Sequence, residues 1–128
     1  MPDRAHVALY GLDVAKLVSY YTGVIGFEIH EVGDGFTALH SPTLELVVVR
    51  IRPEHTDGVV LTDPPRRRQE TPIKVSFVVA SLEAARELAP FYGAAVDGVE
   101  HEWTWGGFTR CDGLDPEGNV VQLMQSTA

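Results

Sequence analysis

His6-Val7-Ala8-Leu9-Tyr10-Gly11-Leu12-Asp13 and Lys74-Val75-Ser76-Phe77-Val78-Val79-Ala80-Ser81 are the two stretches that decide the fold. Each is a short apolar strand that runs into a helix-capping residue, Asp13 or Ser81. They match strand to strand and cap to cap with few identities, so the repeat is one of pattern. After Asp13, residues Val14, Leu17, Val18 and Tyr21 recur at helical spacing, and Gly23 reads as the stop. After Ser81, residues Leu82, Ala85, Leu88 and Ala89 form a second apolar stripe. Glu83 suits the start of that helix, and Pro90 ends it before Gly93. Three strands follow each helix, at 27–32, 36–40 and 44–52, then at 95–105, 108–112 and 119–125. Turn signals separate them, among them Gly33-Asp34-Gly35, Ser41-Pro42-Thr43 and Gly106-Gly107. The fold class is therefore α+β, with two βαβββ modules at about 4–52 and 73–126. A Pro-rich polar linker at about 53–72 joins them, and its Arg66-Arg67-Arg68 run reads as solvated.

Bulk properties narrow the function. The chain has 128 residues, the length of one domain, and at 45% hydrophobic it is too apolar for disorder. Ten Lys and Arg against 18 Asp and Glu give a net charge of −8, which argues against nucleic acid as a partner. The lone cysteine, Cys111, cannot form an internal disulfide and reads as a small strand residue rather than a nucleophile. No stretch is long and apolar enough for a membrane helix. The opening MPDRAHV lacks the apolar core of a secretory leader. The expectation is a soluble, cytoplasmic protein with no membrane partner.

Strand alternation then picks out individual side chains. In the strands near 6, 44, 74 and 120, one face is bulky and apolar. The other carries one polar group each: His6, Glu45, Lys74 and Gln122. A carboxylate inside Leu44-Glu45-Leu46-Val47-Val48-Val49 is costly unless paired. One reading is purely structural: a buried Glu45–Lys74 ion pair, with His6 and Gln122 as hydrogen-bond partners. His101, Trp103 and Trp105 share one face by alternation, and Tyr10 and Phe36 join them as candidate aromatic walls for a flat ligand. His30 and His40 lie on inner strands, and His40 reads as solvent-facing.

The chain resembles the vicinal oxygen chelate superfamily, which includes glyoxalase I, bleomycin-resistance proteins and extradiol-type dioxygenases. The βαβββ repeat and the His6-Val-Ala-Leu opening carry the resemblance. So do Tyr20-Tyr21-Thr22-Gly23-Val24-Ile25-Gly26-Phe27, Trp105-Gly106-Gly107-Phe108 and the closing Asp115-Pro116-Glu117-Gly118-Asn119-Val120-Val121-Gln122-Leu123. The resemblance implies one glyoxalase-like domain over 1–128, with the two modules forming an incomplete barrel around a cleft. It also implies a homodimer, and a divalent metal held at the positions of His6, Glu45, Lys74 and Gln122. His6 and Glu45 suit a metal. Gln122 stands where a carboxylate is usual, and an ammonium at Lys74 repels a cation.

Two functions of different class follow. The first is a metal-free protein, without cofactor, that binds or sequesters a small aromatic or anionic compound. Its ligand cleft would hold His6, Tyr10, Glu45, Lys74, Trp103, Trp105 and Gln122. The second is a lyase, isomerase or dioxygenase that uses Zn, Ni, Mn or Fe on His6, Glu45 and Gln122. A metal-free enzyme would instead place its catalysis on Glu45, as general base, and on Lys74, as oxyanion stabiliser.

Overall fold

The computed structural model describes residues 3–128. The first two residues of the expected 1–128 domain and of the MPDRAHV opening lie outside the described residues. The chain divides into two compact units that part between Val60 and Leu61. Among the described residues, no helix is long and apolar enough to cross a membrane.

The first unit runs β1 (Ala5–Gly11), α1 (Val14–Tyr20), β2 (Glu28–Gly33), β3 (Phe36–His40) and β4 (Leu44–Arg50). Its sheet has the order β1-β4-β3-β2, with β1 parallel to β4 and the other pairs antiparallel. A parallel first pair needs a crossover, which the αββ segment supplies. Asp13 caps α1 by accepting from the Lys16 N–H at 3.1 Å. The apolar stripe then buries Leu17 and Tyr20 over Leu39, Leu46 and Val48, the inward residues of β3 and β4. Each such side chain removed from water contributes about 1.5–3 kcal/mol.

Gly23 is not the stop. Winding continues as a wider π-turn over Tyr21–Ile25 and ends at Gly26, where two successive N–H groups donate to the Tyr21 carbonyl. The wider turn brings Val24 inward beside Tyr21 and Phe27, whose rings meet edge to face at 6.4 Å. Burial of that cluster outweighs the local stop signal.

The second unit runs β5 (Ser76–Val78), α2 (Leu82–Leu88), β6 (Ala95–Val96), β7 (Trp103–Trp105), β8 (Phe108–Leu114) and β9 (Val120–Ser126). Its sheet repeats the first: β5 is parallel to β9, then come β8 and β6, with β7 also paired to β8. Ser81 caps α2 by accepting from the Ala84 N–H at 3.1 Å. Leu82 and Ala85 of α2, and Phe77, Cys111, Val121 and Leu123 of the sheet, are buried. Pro90 does end the regular helix, which tightens into a 3-10 turn over Ala89–Tyr92. Losing the Ser81 cap, as Ser81→Ala, should cost about 1 kcal/mol in urea unfolding, with the m-value unchanged.

Two strand expectations are corrected here. The strand at 95–105 is broken by a 3-10 turn at Val99–His101. The reason lies in the Asp97 carbonyl, which turns off the ladder to accept from Arg86 Nε at 2.8 Å and Cys111 Sγ at 3.3 Å. The strand read from Lys74 toward the Ser81 cap is shorter and forms only over Ser76–Val78.

The linker expectation also changes. Arg67 pairs with Asp97 at 2.9 Å, and Arg68 Nε donates to the Glu117 carbonyl at 3.2 Å. This segment is a strap pinned within the second unit, because the Asp97 carboxylate and the Glu117 carbonyl offer partners that water would otherwise supply.

Candidate functional site

In the first unit one rung of the sheet carries the chemistry. The register sets His6 opposite Glu45, and Glu45 opposite His40. His6 Nδ1 lies 2.9 Å from Glu45 Oε2, and His40 Nε2 lies 2.6 Å from Glu45 Oε1. An ionised carboxylate only accepts, so each imidazole presents an N–H to it. The ladder between β2 and β3 shifts register between Ile29 and Glu31, and His30 sits in that bulge. Its ring stacks on His40 with centroids 4.0 Å apart.

His40 is therefore not solvent-facing: its side chain is only 18% exposed and closes off Glu45. The turn at Ser41-Pro42-Thr43 is tight enough to put it directly across from the carboxylate. Further along the same face lie Tyr10 and Phe36, which both align with Val49. Tyr10 is exposed.

The His40 hydrogen bond holds the Glu45 carboxyl below its ordinary pKa. Partial burial opposes this, and the fields of His6, His40 and His30 add to it. A depressed folded-state pKa gives stability that is present above the unfolded glutamate value and lost as pH falls through the folded one. Wild type should therefore exceed Glu45→Gln in stability at neutral pH. The difference should shrink as pH falls from about 5 toward 3, followed by urea unfolding at each pH.

In the second unit the expected residues share a different rung set. Ser76, Gln122 and Asp112 align across β5, β9 and β8, and Trp103 aligns with Arg110. Lys74 Nζ pairs with Asp112 at 3.0 Å and lies 5.7 Å from the Trp103 ring centre. The buried Gln122 accepts at Oε1 from Arg110 Nη1 at 2.8 Å and from Ser76 Oγ at 3.1 Å. The Arg110 guanidinium sits 4.5 Å from the Trp105 ring centre and 5.7 Å from that of Phe108. Its Nε donates to the Trp105 carbonyl at 3.2 Å.

The hairpin Trp103–Trp105, Gly106-Gly107, Phe108 makes this arrangement. Both glycines have positive φ, 61° and 81°, the mirror-image turn that joins twisted strands in two residues. That register puts Trp103, Trp105, Phe108 and Arg110 on one face. His101 does not join the tryptophans, because it belongs to the 3-10 turn before β7.

Within its own unit each of Glu45 and Lys74 has partners: His6 and His40 for Glu45, Asp112 for Lys74. Hollows of about 560 and 550 Å³ indent the first and second units; Phe36 lines the first, and none of the other candidate site residues lines either of them.

These donor sets do not fit the metal that the resemblance implies. Both Glu45 oxygens are taken by imidazole N–H groups. The Gln122 oxygen faces a guanidinium, whose charge a divalent cation would have to displace. Among the described residues no group of three His, Cys, Asp or Glu side chains is placed to hold a metal ion. Cys111 is buried, and that burial pushes its thiol pKa up, which suits a packing residue.

Solved structures share this fold. A glyoxalase/bleomycin resistance protein/dioxygenase family enzyme from Burkholderia phytofirmans PsJN superposes with a TM-score of 0.68 at 18% identity, covering 98% of this chain and 99% of that one. TnmS3, an antibiotic binding protein from Streptomyces sp. CB03234, gives 0.62 at 18% identity, covering 99% and 98%. An integron cassette protein from the mobile metagenome of Halifax Harbour Sewage Outfall gives 0.64 at 16% identity, covering 98% and 99%. No curated protein matches the sequence. The family model for the Glyoxalase/Bleomycin resistance protein/Dioxygenase superfamily matches residues 4–123, and the chain belongs to that superfamily.

Proposed function

We propose that this protein binds a small organic molecule with a flat aromatic part, and that it does so without a metal. The ligand seats on the face of the second sheet that carries Trp103, Trp105, Phe108 and Arg110. The observation that carries this reading is the state of Gln122. At a position where the superfamily pattern calls for a metal ligand, its oxygen accepts from Arg110 and Ser76 instead. Exposed tryptophan beside a held guanidinium is a surface built for stacking. An antibiotic binding protein among the structural relatives supports a binding role at the level of the fold.

The metal-dependent alternative asks His6, Glu45 and Gln122 to give up their present partners, and no residue pairing favours it. A homodimer in the cytoplasm remains part of the proposal, with light-scattering mass as the check on the dimer.

The test is a thermal melt against a panel of planar aromatic compounds, with and without chelator. The expected result is a ligand-dependent rise in melting temperature that chelator leaves unchanged, because a ligand bound only to the native state stabilises it by mass action. A shift that appears only with added divalent metal would overturn the reading.

A further inference from the structure

We infer that the ligand carries an oxyanion, a carboxylate or a phenolate, and that Arg110 is its receptor. This rests on the binding face proposed above and adds the chemistry of what binds there. The face holds three charged side chains whose charges do not cancel. Lys74 is neutralised by Asp112 at 3.0 Å, whereas Arg110 forms no ion pair among the described residues. Its hydrogen bonds go to two neutral oxygens, the Trp105 carbonyl and Gln122 Oε1. In a chain of net charge −8, a cation kept beside two aromatic rings with only neutral acceptors is an open charge. The acidic surface elsewhere does not defeat it, since charges more than about 8–10 Å away are screened at ordinary ionic strength.

The geometry also says how the anion enters. The guanidinium carbon lies 4.5 and 5.7 Å from the ring centres of Trp105 and Phe108, which leaves its Nη groups as the donors a ligand can take. Nη1 donates to Gln122. A planar oxyanion takes both Nη groups as a bidentate pair and displaces the Gln122 oxygen. Gln122 tolerates the exchange, because Ser76 Oγ still donates to Oε1 at 3.1 Å. The glutamine amide N–H is then free to reach the ligand. The aromatic part lies against Trp103 or Trp105.

Calorimetric titration with 2-naphthoate and its neutral amide, 2-naphthamide, tests this. Wild type should bind the naphthoate about tenfold tighter, the scale of one hydrogen-bonded charge pair. Arg110→Met should erase that preference and leave the amide within about twofold. Asp112→Asn frees Lys74 and should strengthen naphthoate binding further, a gain that misfolding cannot imitate. Equal affinities for the two probes in wild type would overturn the oxyanion inference and leave aromatic binding standing. Failure of both probes to bind would sink the binding face itself.

Discussion

Asp115→Ala is expected to cost about 3 kcal/mol or more in urea unfolding, and about 10 °C in Tm. Asp115 is 0% exposed. Its Oδ1 accepts from the backbone N–H groups of Glu117 at 2.9 Å and Asn119 at 3.0 Å, and its Oδ2 accepts from Asn119 Nδ2 at 2.8 Å. Alanine strands these donors where water reaches them poorly, and each buried orphan costs about 1–3 kcal/mol. Asp115→Asn keeps one acceptor oxygen and should lose about half as much. The effect reaches the binding face because β9 begins at Val120, directly after this turn. A slip of one residue there turns Gln122 to the helix side of the sheet. A loss under about 1 kcal/mol for the alanine variant would show that the turn is held by something other than this carboxylate.

Gly118→Ala should cost about as much, for a different reason. Gly118 has a φ of +82°, where an L side chain is strained by about 1–2 kcal/mol. A Cβ there would also stand 2.0 Å from the Arg66 carbonyl oxygen. That oxygen belongs to the backbone of the strap, which the Gly118 carbonyl holds by accepting the Arg68 N–H at 3.0 Å. The strap must lift, and Arg68 must leave the Glu117 carbonyl. Limited trypsin digestion reads this directly. Wild type should resist cleavage after Arg66, Arg67 and Arg68, and the variant should be cut there several-fold faster while the rest of the chain survives. Equal cleavage rates would mean that the strap is already loose.

The repeat was legible because it is written in spacings that sequence displays directly. Two caps, two apolar stripes and turn residues at matching offsets suffice for two βαβββ units, and both caps form as read. The strand at 95–105 misled because its interruption comes from Arg86 and Cys111, partners about a dozen residues away in the chain. The arginine run looked solvated because nothing local announces Asp97 or the Glu117 carbonyl as partners.

At the site, alternation found His6, Glu45, Lys74 and Gln122, but alternation gives a face and not a neighbour. Register decides neighbours: it set Glu45 opposite His40, and it set Gln122 opposite Asp112, one same-face step from Arg110, whose side chain reaches it diagonally. Arg110 could have been found earlier. A two-glycine hairpin between Trp105 and Phe108 fixes the pairing of Trp103 with Arg110, which puts the arginine among the aromatics. His30 could not have been found this way, because a bulge breaks the parity on which the method depends.

Metal retention tests the central claim most directly. The protein should be loaded separately with Zn, Ni, Mn and Fe(II), desalted, and its metal content measured per chain. Metal-free binding at the Arg110 face predicts far less than one equivalent retained for every metal, with no change on Gln122→Ala. Close to one equivalent retained, and lost on replacing His6, Glu45 or Gln122, would contradict it and move the chemistry to those three side chains.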